Sequence, residues 1–205
     1  RAAKSIDESL RKLETDYIDL LLIHQAFGDY YGTYRAMQKA LEAGKVRAIG
    51  LSNFVDARFV DLVENMEVKP AVLQLETHVF SQQKRMRELM APYGTRLMAW
   101  APLAEGRNGI FTHPTLTAIG AKYGKTAAQT ALRFLMAEDV IAIPKSVHRE
   151  RLVENFSIDD FELSAEDLDA IRALDGGKPM FADFNDPALA KFLLEYDAKF
   201  NPERQ

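Results

Sequence analysis

Short apolar stretches alternate with amphipathic stretches along the chain. Five apolar runs rich in branched side chains each end in polar residues, and they cover residues 17–23, 46–51, 71–75, 96–101 and 140–143. Between these runs, apolar side chains recur at helical spacing in three groups: Tyr34, Met37 and Leu41; Phe59, Leu62, Val63 and Met66; Ala128, Leu132 and Leu135. Because the period switches between strand and helix in this way, the sequence predicts parallel βα units.

Residues that typically end or begin helices lie at positions consistent with alternating strands and helices. Gly44 stands at the expected C-terminus of a helix, immediately before the second apolar run. Ser164 and Asp167 have the spacing of a capping box, which predicts a helix beginning there. A further helix pattern follows near the end of the chain, after the tail that begins at Gly176 and Gly177.

Two parallel-sheet architectures compete for such a pattern. A doubly wound sheet that binds a dinucleotide needs a glycine-rich turn after its first strand, and no G-x-G-x-x-G occurs here. A (β/α)8 barrel needs no such turn and places polar residues at the carboxyl ends of its strands. The sequence therefore predicts an α/β fold of the (β/α)8 TIM-barrel class, with residues 1–205 forming a single, incomplete barrel domain.

Composition narrows the class of protein. The chain has 205 residues, 47% of them hydrophobic, a formal net charge of -4 and no cysteine. Without cysteine there is no disulfide framework and no thiolate metal site, and no basic stripe indicates a nucleic acid partner. No apolar run approaches the roughly 20 residues of a membrane span. We expect a soluble, cytoplasmic, metal-free protein without membrane or nucleic acid partners.

Polar and aromatic residues close each of the predicted strands. They include His24, Ser52-Asn53, Gln74, Trp100 and Lys145. In a barrel these positions converge on one rim, where active sites are built. Side-chain amides can bind a planar carboxamide, an indole can stack on a flat ring, and cationic groups can hold phosphate. The residue types at this rim therefore suit a ligand that offers an amide, a flat ring or a phosphate.

Three motifs in these positions resemble a known family. Leu22-Ile23-His24, residues 44–54 (GKVRAIGLSNF) and residues 143–147 (IPKSV) are similar to the fourth-, fifth- and eighth-strand motifs of the aldo-keto reductases. The likeness is to NADPH-dependent members of the bacterial diketogluconate reductase type, and it runs in register over nearly the whole chain. It implies a chain that covers about strands 4 to 8 of the barrel and the C-terminal loop.

The resemblance also implies an activity and roles for residues. The function would be reduction of an aldehyde or ketone to an alcohol, by hydride transfer from NADPH. Ser52, Asn53 and Gln74 would bind the nicotinamide carboxamide, Trp100 would stack on the nicotinamide ring, and His24 would orient the substrate carbonyl. Holding ring and carbonyl face to face is a matter of positioning, which such residue types can provide.

The other cofactor contacts implied by the resemblance follow the last two predicted strands. They are Lys145, Ser146 and Arg151 for the adenosine 2′-phosphate, Glu154 and Asn155 for the adenine, and Pro102, Leu103 and Val147 as further cofactor-binding residues.

One part of the family pattern has no counterpart in these residues. The catalytic tyrosine of the family, with its partner lysine and aspartate, would lie upstream of Arg1. Three βα units would precede this chain, about 90 residues at about 30 each. We therefore expect an N-terminally incomplete barrel that is inactive alone. Tyr30 and Tyr31, which follow the His24 strand, are the substitutes for the acid within the chain.

Alternative interpretations remain open. One alternative is a non-catalytic nicotinamide-binding partner subunit on the same barrel, and another is an inactive fragment. Lys145 and Arg151 would then be a solvated cationic pair, Trp100 a core residue, and Ser52-Asn53 the cap of the next helix. The remaining histidines, which have no ligand spacing, are interpreted as packing or surface residues: His78, His113 and His148. We expect a monomer.

Overall fold

The computed structural model describes residues 1–200, except for the side chains of residues 197, 198 and 200. The strands are β1 (Ile18–Ile23), β2 (Val46–Ser52), β3 (Val72–Glu76), β4 (Arg96–Trp100) and β5 (Ile141–Ala142). The helices are α1 (Ala2–Leu13), α2 (Tyr30–Glu42), α3 (Ala57–Asn65), α4 (Lys84–Met90), α5 (Pro114–Tyr123), α6 (Ala127–Ala137), α7 (Arg149–Phe156), α8 (Ala165–Arg172) and α9 (Pro187–Phe200). Every predicted strand is present, and the prediction of an α/β fold with a parallel sheet is confirmed.

Strand order follows chain order, β1-β2-β3-β4-β5, and the registers of β1 with β2, β2 with β3 and β4 with β5 are parallel. No reversal of order occurs among the described strands, as a dinucleotide-binding doubly wound sheet would require. β5 covers only the two middle residues of its apolar run, and Pro144, which has no backbone N–H for a ladder, follows the run directly.

The chain divides into two compact units. The first unit comprises residues 1–74, 88–95 and 182 onward, and the second comprises residues 75–87 and 96–181. The single domain predicted for residues 1–205 stays a prediction, and residues 201–205 lie outside the described part.

The core of the first unit lies between α2, α3 and the strands β1 to β3. Tyr34 and Met37 of α2 and Phe59 and Leu62 of α3 are buried, as their spacing predicted. The Tyr34 hydroxyl donates to the carbonyl of Val68 at 3.0 Å, so its one polar atom is satisfied. Burial raises the pKa of this phenol far above its usual value, which keeps it neutral.

The predicted C-terminus of α2 is confirmed. Gly44 adopts φ +71°, the left-handed conformation that glycine tolerates best. Its N–H donates to Leu41 and the N–H of Lys45 donates to Ala40, the two bonds of a Schellman motif. The turn returns the chain directly into β2.

In the second unit, α5 and α6 pack together, and α6 begins with a capping box of Thr126 and Gln129. The capping box predicted for α8 is only half present. Ser164 Oγ accepts from the N–H of Asp167 at 3.2 Å, but the Asp167 carboxylate binds Lys122 and the Tyr123 hydroxyl instead of returning to Ser164. Among the described residues, no helix combines the length and apolarity needed to cross a bilayer.

Candidate functional site

The first unit brings together the four residues predicted at the ends of its strands. Ser52 pairs in register with Gln74, and the N–H of Asn53 donates to the Gln74 carbonyl at 2.9 Å. Asn53 Nδ2 donates to the carbonyl of His24 at 3.3 Å. Asn53 has φ +63°, a left-handed conformation that asparagine adopts more readily than most residues. Asn53 therefore ties the ends of β1, β2 and β3 to one another.

Two buried polar atoms of the first unit lack a partner within the described residues. Ser52 Oγ is in a side chain that is 1% exposed, and Gln25 Oε1 is the second such atom. A buried hydroxyl or amide oxygen without a partner costs free energy, which a ligand group can recover. The Ser52 hydroxyl therefore has a hydrogen-bonding capacity that the described residues leave unused.

The reading of Ser52-Asn53 as a helix cap is wrong. Helix α3 begins at Ala57 with Asp56 in the capping position, and Asp56 has φ +51°. The chain needs residues 54–56 to turn out of the sheet before it can enter the helix, so Ser52 and Asn53 remain at the end of β2.

Of the two tyrosines considered as acids, Tyr31 is already engaged. Its hydroxyl donates to Asp61 Oδ2, and this hydrogen bond, with some burial and the negative charge of Asp61, raises the pKa of Tyr31 to about 12. A phenol whose proton is held this way is a weaker acid than an ordinary tyrosine. Tyr30 packs edge-on against Phe54, with ring centroids 5.2 Å apart.

The C-terminal segment is anchored in the first unit near the start of α3. Arg58 Nη1 donates to the carbonyl of Phe184 at 3.0 Å, and the guanidinium lies 5.0 Å from the Phe27 ring centroid. Asn185 Nδ2 donates to Asp56 Oδ2 at 2.7 Å. These contacts hold the tail against the loop that follows the His24 strand.

In the second unit, Trp100 ends β4 and is partly exposed, so it is not simply a core residue. Its carbonyl accepts from the N–H of Thr77 at 3.1 Å. The loop that follows contains predicted residues Pro102, which is buried, and Leu103, which is half-buried. Four non-glycine residues of this loop have positive φ, a strained conformation that clusters at functional sites: Ala101, Ala104, Glu105 and Asn108.

The second group of predicted residues in this unit surrounds the start of α7. Lys145, Val147 and Arg151 are exposed, while Ser146 is half-buried. Ser146 Oγ accepts from the N–H of His148 at 3.1 Å, just before the helix. Among the side chains that the structure describes, none forms an ion pair with Lys145 or Arg151.

Glu154 and Asn155 lie further along the same helix. Glu154 Oε1 accepts from Thr126 Oγ1 at 2.5 Å, and the Glu154 carbonyl accepts from Gln129 Nε2 at 3.2 Å. Glu154 therefore joins α7 to the start of α6. Asn155 lines a cavity of about 520 Å³ beside β5, together with Phe156 and Ile158.

Sequence reasoning missed a buried polar network in the second unit. Glu76, the last residue of β3, is 3% exposed, and His78 is fully buried. His78 Nδ1 accepts from the N–H of Phe80 at 3.2 Å, so Nε2 carries the proton and donates to Glu76 Oε1 at 3.1 Å. His78, which the sequence left as a packing or surface residue, is buried. The available signal was a carboxylate and a histidine ending an apolar run.

The Glu76 carboxylate has two further donors. The N–H of Met180 donates to Oε1 at 2.5 Å and the N–H of Phe181 donates to Oε2 at 3.0 Å. Burial raises the pKa of Glu76, but the hydrogen bonds from His78, Met180 and Phe181 outweigh it and hold the pKa below its usual value. Glu76 is therefore a carboxylate at neutral pH.

Comparisons with known proteins identify the family of this chain. The model of the Aldo/keto reductase family matches residues 1–176. Glyoxal reductase of Bacillus subtilis (strain 168) is 42% identical over 171 residues, which are 83% of this chain and 61% of that protein. The chain thus spans about three fifths of the length of this relative.

Solved structures give the same result. The crystal structure of MGS-M4, an aldo-keto reductase enzyme from a Medee basin deep-sea metagenome library, is 38% identical with a TM-score of 0.86, covering 90% of this chain and 69% of that one. A Bombyx mori aldo-keto reductase in complex with NADP is 32% identical with a TM-score of 0.81, covering 90% and 67%. Because the family model matches most of the chain and the fold agrees, the chain belongs to the aldo/keto reductase family.

Proposed function

We propose that this chain is the cofactor-binding part, strands 4 to 8 and the C-terminal loop, of a (β/α)8 barrel reductase. The protein reduces an aldehyde or ketone to an alcohol with NADPH. The observation that carries the proposal is the cluster of Ser52, Asn53 and Gln74, in which the buried Ser52 hydroxyl has no partner among the described residues. The complex of the Bombyx mori relative with NADP supports the choice of cofactor.

The cluster fits a carboxamide. A carboxamide offers two N–H donors and one carbonyl acceptor, and a hydroxyl with two amide side chains can match all of them. Asn53 is fixed by its bonds to the carbonyls of His24 and Gln74. When bound, NADPH supplies the hydride that is added to the carbonyl carbon. The chain's own contribution is to hold the cofactor ring at a defined place, with Trp100 as the surface on which it stacks.

The start of α7 fits a phosphate. Lys145 and Arg151 present two cationic groups that form no ion pair with the side chains the structure describes, and a helix N-terminus favours an anion. Ser146 can add a hydroxyl donor. Glu154 and Asn155 lie on the same helix and are proposed for the adenine, with Pro102, Leu103 and Val147 as apolar walls.

His24 is proposed to orient the substrate carbonyl. It is exposed at the end of β1, and its backbone is fixed by Asn53. Reduction also requires a proton on the carbonyl oxygen. Since the Tyr31 hydroxyl is held by Asp61, we propose that the acid is a tyrosine upstream of Arg1, with its lysine and aspartate partners. Cytoplasmic location and a monomeric state stay predictions.

The cofactor proposal is tested with Arg151→Ala. We expect affinity for NADPH, measured by titration calorimetry, to fall about 10- to 150-fold, which corresponds to about 1.5–3 kcal/mol for a hydrogen bond to a charged group. Affinity for NADH should change much less, because NADH has no 2′-phosphate.

The matched control is Arg149→Ala, which removes the same charge from the first turn of the same helix. It should weaken NADPH binding less than Arg151→Ala does. Equal losses for both cofactors in Arg151→Ala, or equal losses in the two variants, would contradict a specific phosphate contact.

Activity is tested with and without the upstream segment. A positioned acid typically contributes about 10²- to 10⁴-fold to proton transfer. We expect residues 1–205 alone to bind NADPH without consuming it in the presence of glyoxal or an aromatic aldehyde, and the extended protein to turn over. Turnover by residues 1–205 would move the acid into this chain, with Tyr30 and His24 the first positions to mutate. Cofactor binding without turnover by the extended protein would favour the non-catalytic alternative.

A further inference from the structure

The Glu76 carboxylate collects three N–H donors within the second unit. They are the amide N–H groups of Met180 and Phe181 and Nε2 of His78, at 2.5, 3.0 and 3.1 Å. Residues 177–184 form no helix or strand, so these amides have no regular backbone partners. A carboxylate that accepts two successive amides fixes both the position and the direction of a loop.

The loop held in this way carries an aromatic ring to Trp100. The centroid of the Phe181 ring lies 5.7 Å from that of Trp100 and 6.1 Å from that of His78. The Arg107 guanidinium lies 4.6 Å from the Phe181 ring centroid. These separations are those of favourable aromatic and cation–π contacts. Phe181 is thus packed on the residue proposed to stack on the nicotinamide.

A second contact fixes the beginning of the same loop. The N–H of Gly176 donates to the carbonyl of Phe80 at 2.9 Å, and the N–H of Gln82 donates to Asp175 Oδ1 at 3.1 Å. The segment from Asp175 to Phe181 is therefore attached at one end to the turn that follows β3 and at the other end to Glu76, the last residue of β3. The Glu76 end is the one that binds the amide of Phe181 itself.

We propose that Glu76, supported by His78, is a positioning residue that holds Phe181 against Trp100 and so forms one wall of the carbonyl-substrate pocket. The pocket part of this inference rests on the proposed reductase function, whereas the anchoring of Phe181 does not. Glu76 touches neither substrate nor cofactor and acts only through the loop.

The first experiment uses Trp100, the single tryptophan of the chain, as a fluorescent reporter. In Glu76→Gln, an amide with one oxygen and one NH₂ group replaces the two carboxylate oxygens. The NH₂ group cannot accept a hydrogen bond, so the N–H groups of Met180, Phe181 and His78 can no longer all find an acceptor. We expect Phe181 to leave Trp100, with a shift of the emission to longer wavelength and stronger quenching by acrylamide. Phe181→Ala should give the same change.

The double variant decides whether the two residues act together. In a Phe181→Ala background, Glu76→Gln should have no further effect on Trp100, because coupled residues are not additive. Asp167→Asn is the matched control, since it neutralises another buried carboxylate of the same unit and should leave the emission unchanged. Additive changes in the double variant, or the same shift in Asp167→Asn, would overturn the anchoring.

Hydrogen exchange tests the contact with Glu76 in the unmodified protein. The test therefore does not depend on whether Glu76→Gln folds. In the unmodified protein the amides of Met180 and Phe181 should exchange about 10- to 100-fold more slowly than the amides of Lys178 and Ala182, as charge-assisted hydrogen bonds of this strength imply. Exchange at the rate of those neighbours would refute the contact.

The pocket role is tested by kinetics on the catalytically active protein. Glu76→Gln should raise KM for a bulky aromatic aldehyde about tenfold or more, the factor equivalent to about 1.4 kcal/mol, with kcat and KM for glyoxal changed much less. Equal changes for both substrates would refute the pocket wall. If no carbonyl is reduced, the proposed function fails, and fluorescence and exchange still decide whether Glu76 anchors Phe181.

Discussion

Replacing Gly50 by alanine adds one methyl group at a crowded point of the first unit. A Cβ there would lie 2.6 Å from Leu22 Cδ2, 2.7 Å from Val72 Cγ2 and 2.8 Å from the carbonyl oxygen of Val72. Gly50 lies in register with Leu22 on β1 and with Val72 on β3. Because ordinary carbon contacts are about 3.5–4.0 Å, strands must shift by roughly 1 Å to admit the methyl group.

Overpacking of a core typically costs about 1–3 kcal/mol of the free energy of unfolding, and a backbone contact puts Gly50→Ala at the upper end, about 3 kcal/mol. For a chain of this size that lowers Tm by roughly 6–12 °C. Thermal and urea denaturation followed by circular dichroism measure it.

The matched control for Gly50→Ala is Gly44→Ala, which has no atom within 4 Å of its Cβ and faces only the left-handed backbone penalty. We expect a cost of about 1 kcal/mol there. A loss in Gly50→Ala no larger than in Gly44→Ala would refute the crowding argument. Ser52 and Asn53 end the same strand, so Gly50→Ala should also weaken cofactor binding.

Two further predictions concern titratable groups. Glu138 accepts hydrogen bonds from Arg87 and Arg172; burial raises its pKa, but these bonds outweigh burial and lower it below the usual value. Glu138→Gln should therefore lower the free energy of unfolding by about 1–2 kcal/mol above pH 5. This difference from the wild type should disappear as the pH falls through the lowered folded-state pKa of Glu138. A difference that stays constant from pH 3 to 7 would contradict the ion pairs. Tyr31→Phe should change the turnover of the active protein by less than about threefold, because the Tyr31 proton is held by Asp61. Loss of the catalytic acid should instead lower turnover by at least about 10²-fold. A loss of that size in Tyr31→Phe would make Tyr31 the acid.

The strands and the family were readable from the sequence because their signals are local. Each apolar run of branched residues became a strand, and the polar residues at its end remained there. The Gly44 turn was predictable for the same reason, since a left-handed residue after a helix needs glycine. The motifs around His24, Ser52 and Lys145 each lie within about ten residues, so no knowledge of packing was needed to identify them.

Helix beginnings that depend on distant residues were predicted less well. Asp167 has the spacing of a capping box, but Lys122 and Tyr123 of α5 bind its carboxylate. Helix α5 itself was missed, because Leu116 and Ile119 are too short an apolar pattern to identify a helix. For Asp167 a partner in another element decided the outcome, whereas for α5 the local pattern was too short.

The sequence by itself determined the alternation of strands and helices, the family and the residue types at the end of each strand. All of these depend on patterns among neighbouring residues. Only the tertiary structure decided how those residues are used. It left the Ser52 hydroxyl buried without a partner among the described residues, and it bound the Tyr31 proton to Asp61. It also gave Glu76 two donors that lie 104 and 105 residues later in the chain. A carboxylate at the end of a strand has the same local sequence whether it faces water or holds a loop, and only folding brings the loop to it.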